Sequence, residues 1–373
     1  MIDNNYLKLN SKNHLDTFKY LLNNVEDIYS DNNYALILSA ENGHLEVVKY
    51  LIENGANIHS NNDYALRLSA ENGHLEVVKY LIEKGANIHA KEDYALILSS
   101  ENGHFEIVKY LIENGANIHA KEDYALILSA KFGHFEVVKY LIENGADIHI
   151  DSDYPLRYTK KLEIVKYLLE NGANIHALND DILMHNAING NLDIIKYLIE
   201  NGVNIHAEED YALVFSAEYG HLNVVQYLIE NGTNIHAYND SALKFSTKNG
   251  HLKVTQYLIE NGANINIINN NDLKIIYKNN HLNIVQYLLE NINYKNLLKS
   301  NELILLLNSK IINSIIDNNK IKENVNYYLN FITNEENKIY FKSYYYHKLN
   351  NELNNEFKKE LILKSNLIHY LIL

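Results

Sequence analysis

The sequence predicts an all-α fold, a solenoid of about ten helix-turn-helix repeats of 30 residues followed by a helical C-terminal cap. Three observations carry this. The stretch at residues 63–92, DYALRLSAENGHLEVVKYLIEKGANIHAKE, returns almost unchanged at 93–122 and with small edits at 123–152; self-similarity at a period of about 20–50 residues marks a stacked array. Within each repeat the apolar residues recur at helical spacing. Glycine is confined to the turns of the repeats, and none of the 15 lies beyond Gly262. The array is therefore placed at 1–294 and the cap at 295–373.

One repeat justifies its elements in order. Asp63 is an N-cap candidate, because a carboxylate can accept an orphan amide of the first turn. Tyr64, Ala65, Leu66, Leu68, Ser69 and Ala70 make a short helix, which Asn72-Gly73-His74 stops. Leu75, Val77, Val78, Leu81 and Ile82 then fall on one face of a longer helix, with Glu76, Lys79 and Glu83 on the other, where opposite charges neighbour each other. Lys84-Gly85 ends it, since glycine takes the left-handed position after a helix at no steric cost. Neither helix hides its apolar face alone; stacked neighbours do so together.

These residues resemble the ankyrin repeat. Residues 64–70, YALRLSA, stand for its TPLH segment, Gly73-His74-Leu75-Glu76-Val77-Val78-Lys79 matches its middle, and Gly85-Ala86-Asn87-Ile88-His89-Ala90 stands for its GADVNA turn. The resemblance covers about four-fifths of the chain. It implies short-fingered repeats, because the period is 30 where the family has 33 and the missing residues come from the projecting finger. Tyrosine and alanine replace Thr-Pro, and the one proline, Pro155, falls at the family's proline position. The Asn- and Ile-rich repeats look most like the ankyrin proteins of giant amoeba-infecting viruses. That likeness implies a viral scaffold binding host proteins through a protein–protein interface, with no enzymatic activity. A second reading is an adaptor whose tail recruits a ubiquitin ligase or another effector, as poxvirus ankyrin proteins often do; the tail shows no such signature. A third places an enzyme in the tail.

Composition narrows the classes further. There is no cysteine, so disulfide and thiolate chemistry are excluded. Net charge is −14, split as +3 beyond residue 294 and −17 before it, which argues against nucleic acid as a partner. No apolar stretch approaches the ~20 residues of a membrane span, and a secretory leader is not evident. The expectation is an intracellular monomer, host-cytoplasmic with nucleus or virion also open, with no membrane partner, cofactor or metal.

Along the chain, residues 6–28 are a worn first repeat. The sixth repeat loses its Gly-His turn, so Thr159-Lys160-Lys161 joins its helices, and a shorter first helix or a tighter link, with locally irregular stacking, is expected there. Asn191 replaces the turn histidine of the seventh, and the tenth loses its glycines. The 18 histidines invite a metal reading, but most recur one repeat apart, in the turn (His74) or in the connector (His89). Packed helices stand ~8–10 Å apart, too far to share one zinc at ~2.0–2.1 Å. Turn hydrogen bonds are the reading for the first set. For the second, a tie within the connector stands beside a target for asparaginyl hydroxylases, which the resemblance implies and which Asn266 also fits. His185, His347 and His369 belong to neither set. The tyrosines at positions such as Tyr20, Tyr50, Tyr80 and Tyr110 read as near-core, with hydroxyls reaching a polar edge. No nucleophile, base and orienting group stand apart from the repeat background.

The resemblance also implies where a partner sits: on the two residues after the first helix's small pair and on the fourth residue of the TPLH segment. Repeat-specific departures there are Lys131, Phe132 and Tyr219 in the first set and Arg67, Arg157, Lys244 and Lys274 in the second, where Ile37, Ile97 and Ile127 stand elsewhere. Because aromatic and arginine side chains carry a disproportionate share of interface energy, Phe132, Arg157 and Tyr219 are the expected anchors. Arg67, Lys131 and Lys244 are expected at the rim.

Overall fold

The computed structural model describes residues 32–291. The first repeat at 6–28, the cap at 295–373, and His14, Tyr20, His347 and His369 lie outside the described residues. So does the side chain of Lys274. Internal contacts divide the chain into two bodies, residues 1–186 with 191–204, and residues 187–190 with 205–373. The described residues form α-helices joined by turns and short 3-10 segments, with no strand among them; the expected helix-turn-helix repeat is present from the second repeat through the tenth.

In the first body, the third repeat shows the build. Its helices run Tyr64–Glu71 and Leu75–Glu83. The first buries Ala65, Leu66, Ser69 and Ala70, and the second buries Val77, Val78 and Leu81. Each fully buried leucine or valine contributes about 1.5–3 kcal/mol of transfer free energy. Gly85 closes the second helix at φ +97°, and the amide of Ala86 donates to the carbonyl of Leu81 at 2.9 Å, a left-handed stop of the expected kind. On the second helices the tyrosines are half-buried, and Tyr140 and Tyr167 meet Phe105 and Phe135 edge to face, with centroids at 5.7 and 5.6 Å. The expected polar partner is missing at Tyr80, whose buried hydroxyl has none.

Two ties recur between neighbouring repeats. The imidazole of His104 donates from Nε2 to the carbonyl of Glu71, at 2.9 Å, in the repeat before it. The same bond runs from His74 to Glu41 and from His134 to Glu101. In the second body it runs from His221 to Ile188 and from His251 to Glu218. The turn histidines are thus hydrogen-bonded, but across the repeat boundary. Gly73 makes room for one: it sits at φ +82°, and a Cβ there would come within 2.7 Å of the His104 ring.

The second tie is the connector. Lys91, Glu92 and Asp93 stand in succession at φ 55°, 62° and 56°, one left-handed turn in the place of the finger. Left-handed backbone costs about 1–2 kcal/mol per L-residue, so other bonds must hold it. The carboxylate of Asp93 accepts from Nδ1 of His89, in the repeat before, at 3.0 Å and from the backbone amide of Asn117, in its own repeat, at 2.8 Å. Asp63 repeats this with His59 and Asn87. The N-cap expected of Asp63 is therefore corrected: its backbone is left-handed and its side chain caps no helix. Its Oδ1 instead ties His59 of the repeat before to the Asn87 amide of its own repeat.

The first helix of the sixth repeat is shortened. That helix, Ile150–Tyr158, contains the left-handed turn at Asp151, Ser152 and Asp153, so regular helix covers only Tyr154 to Tyr158, against Tyr124–Phe132 in the fifth. Pro155 falls in the first regular turn, where its missing N–H is harmless. Thr159 is extended, and the second helix starts at Leu162. Lys161 lies where a turn histidine would, its side chain against Gly133.

In the second body the pattern persists through the tenth repeat, with helices Asn270–Lys278 and Leu282–Asn291. Asn280 takes the lost glycine's place at φ 63°, which asparagine tolerates better than most residues.

Candidate functional site

The exposed face of the first helices follows from their spacing. Tyr64, Leu68 and Asn72 lie four residues apart, so they share one face, opposite Ala65, Leu66, Ser69 and Ala70. In the fifth repeat that row reads Tyr124, Leu128 and Phe132, with Tyr124 40% and Phe132 51% exposed and Leu128 buried between them. In the eighth, within the second body, it reads Tyr211, Phe215 and Tyr219, the last 52% exposed. Tyr211 meets Phe215 and Tyr238 edge to face at 4.8 and 4.7 Å, and Tyr238 and Phe245 are exposed beside them. Each body thus presents aromatic rings to solvent on its first-helix face.

The structure sorts the expected partner residues into two groups. Lys131, Phe132 and Tyr219 are exposed on that face. The fourth TPLH position is not part of it: Ile37, Ile97 and Ile127 are buried, which corrects the expectation that it faces a partner. The cations at that position serve the scaffold. Arg67 donates from Nε and Nη2 to the carbonyls of Asn62 and Asn61, at 3.2 and 2.8 Å, in the left-handed turn before it. Arg157, an expected anchor, is 5% exposed. It donates to the carbonyls of Ser152 and Asp151, both at 2.9 Å, and pairs with Asp181 Oδ2 in the next repeat at 2.9 Å. Lys244 is half-buried with Nζ 3.7 Å from Asp272, which Lys248 also holds at 2.7 Å. Arg157 is therefore withdrawn from the partner face. Arg67 and Lys244 have their charged ends turned to their own scaffold.

Asp181 also accepts from His185 Nε2 at 3.1 Å, and Tyr158 stacks between Tyr154 and His185 with both centroids at 4.0 Å. Burial pushes the Asp181 carboxyl up, but the bonds and charges of His185 and Arg157 outweigh it and hold the group below the usual carboxylate range. This polar knot replaces the histidine tie at the one junction where both flanking turns, Lys161 and Asn191, lack histidine. It was not foreseen, although Asp181 in a tyrosine position and His185 outside both histidine sets were visible signals.

A family model described as ankyrin repeats, in three copies, matches residues 8–92, 88–152, 156–239, 183–269 and 213–297. The chain belongs to the ankyrin-repeat family. Among curated proteins none matches it. Ankyrin repeats mediate protein–protein interactions, and this array is such an interaction scaffold. No helix among its described residues is long and apolar enough to cross a membrane, and no group of three His, Cys, Asp or Glu among them is placed to hold a metal ion. The connector histidines of this ankyrin array are engaged through Nδ1 with an aspartate four residues on.

Proposed function

We propose that the first-helix face of this ankyrin array captures a protein partner, with Phe132 as an anchor on the first body and Tyr219 on the second. The observation that carries this is that both rings stand half-exposed where other repeats place asparagine. Exposed aromatic rings on a rigid helix supply apolar contact area at low entropic cost. The left-handed connectors leave no finger, so the helix face is the contact surface. The array acts by binding.

The finer reading, a virus-encoded scaffold that binds a host protein inside the host cell, rests on the composition of the repeats. The adaptor reading has its own support in the change from −17 to +3 at the tail. Effector subunits co-purifying through residues 295–373 alone would favour it.

A photo-crosslinking residue placed at 132 or at 219, in cells, tests the face. The expected result is a discrete crosslinked partner from one or both positions, and none from 76, 79 or 83 on the opposite side. Equal capture from the two sides overturns the reading.

A further inference from the structure

Within the first body, three lysines gather where the sixth repeat has lost its turn. Lys131 and Phe132 end the first helix of the fifth repeat, and the next residue is Gly133. Lys161 lies against that glycine, its Cγ 2.8 Å from where a Cβ would stand, and Lys160 precedes it, exposed. The deletion therefore lays the Lys161 side chain against the residue that follows an exposed ring, and that ring already has the Lys131 ammonium 5.7 Å from its centroid. None of these three lysines lies within ion-pair distance of a carboxylate among the described residues. Lys49 and Lys79, on second helices of the same body, each hold a glutamate at 2.7 and 2.8 Å. With Lys161 in place of a histidine, no imidazole reaches the carbonyl of Lys131 either.

Like charges held together without counter-charges repel, and here they do so around 51% exposed Phe132 in an array of net charge −17. We propose that this corner binds an acidic segment of a partner protein that carries an apolar side chain among its carboxylates. Phe132 takes the apolar side chain, and Lys131, Lys160 and Lys161 take the carboxylates. The proposal rests on the first-helix face being the partner face, and adds the chemistry of what binds there. Charge argues against the chain's own tail as occupant, since it is +3.

The test uses the full chain and three fluorescent probes in anisotropy titrations. They are a short Asp/Glu peptide with a central leucine, its Lys/Arg counterpart, and a single-stranded oligonucleotide. The acidic peptide is expected to bind saturably and more weakly as salt rises. Lys131→Ser, Lys160→Ser and Lys161→Ser together are expected to weaken it at least about tenfold, as is Phe132→Ala, a loss of about 1.4 kcal/mol. Arginine at the three positions should preserve binding, and Lys79→Ser should leave it unchanged. Unchanged thermal melting of the variants separates lost contacts from lost fold. The proposal is overturned if the acidic peptide fails to bind, if the triple serine variant binds it as the parent does, or if the oligonucleotide binds this corner as tightly. Sedimentation showing a dimer that the serine variant dissolves would also overturn it, by making a second acidic array the occupant. Crosslinking at 132 without acidic-peptide binding would sink only this chemistry; absence of both would sink the partner face too.

Discussion

Replacing Arg157 by alanine should cost about 3 kcal/mol, most of it felt between the fifth and seventh repeats. The guanidinium makes three hydrogen bonds of 2.9 Å, to the carbonyls of Asp151 and Ser152 and to Asp181. Hydrogen bonds to charged groups are worth about 1.5 kcal/mol each at the low end, so three approach 4.5 kcal/mol on the same scale. Some of that is recovered, because Asp181 keeps His185 and its side chain is 16% exposed, so water can reach it. Breaking a buried pair by removing one partner typically costs about 3–5 kcal/mol, which sets the same range. The pH dependence has a definite sign. The folded carboxyl of Asp181 lies below its usual range, so its contribution is complete above the unfolded value of about 3.9 and is lost as pH falls through the folded value. The difference between parent and variant should therefore be full at neutral pH and shrink in acid. Urea unfolding at several pH values, with hydrogen exchange at amides of residues 155–185, measures both, since a solenoid opens locally. Arg157→Lys should fall between the two, because one ammonium cannot fork to three acceptors. A loss under about 1 kcal/mol, small for a buried pair, or one that grows in acid, would refute the account.

Asp93→Ala should cost about 2 kcal/mol, because it removes the acceptor of both His89 and the Asn117 amide and frees a left-handed turn; urea unfolding reports it, and Asp93→Asn should lose less. Gly85→Ala should cost about 1 kcal/mol from backbone strain alone, since nothing lies within 4 Å of the new Cβ. Gly73→Ala should cost more, because its Cβ also meets the His104 ring, and equal losses in melting experiments would show that the close approach has no weight. Phe132→Ala and Tyr219→Ala should each change stability by less than about 0.5 kcal/mol, so that thermal melts match the parent while partner capture falls.

The period, the two helices and the glycine stop at Gly85 were legible because each is a local pattern repeated many times. The connector was not. Neither Lys91 nor Glu92 favours positive φ, and what holds them there is Asp93 bonded to Asn117, a pairing 24 residues apart in sequence that no local pattern displays. For the same reason Asp63 read as a cap. Arg157 was misplaced although the sequence held the correction: isoleucine fills the same position at Ile37, Ile97 and Ile127, and apolar residues at a repeated position mark burial. Phe132, Lys131 and Tyr219 were found on the exposed face because they break a rule that the scaffold otherwise enforces.

The ties described above also bear on how such a chain changes over generations. The turn-histidine bonds reach one repeat back, and each of these aspartates joins a histidine of the repeat before to an amide of its own, and the groups at both ends are the same from copy to copy. Duplication or loss of one 30-residue block within residues 63–152 would leave each donor facing an equivalent acceptor, so recombination can alter the array's length there without a compensating change. The sixth and seventh repeats lack that freedom. Arg157 has its counter-charge in Asp181, at a position where the other described repeats carry no acid, and a crossover between them would leave a buried cation unpaired. Length can drift where the repeats are interchangeable, while this junction is inherited as a pair.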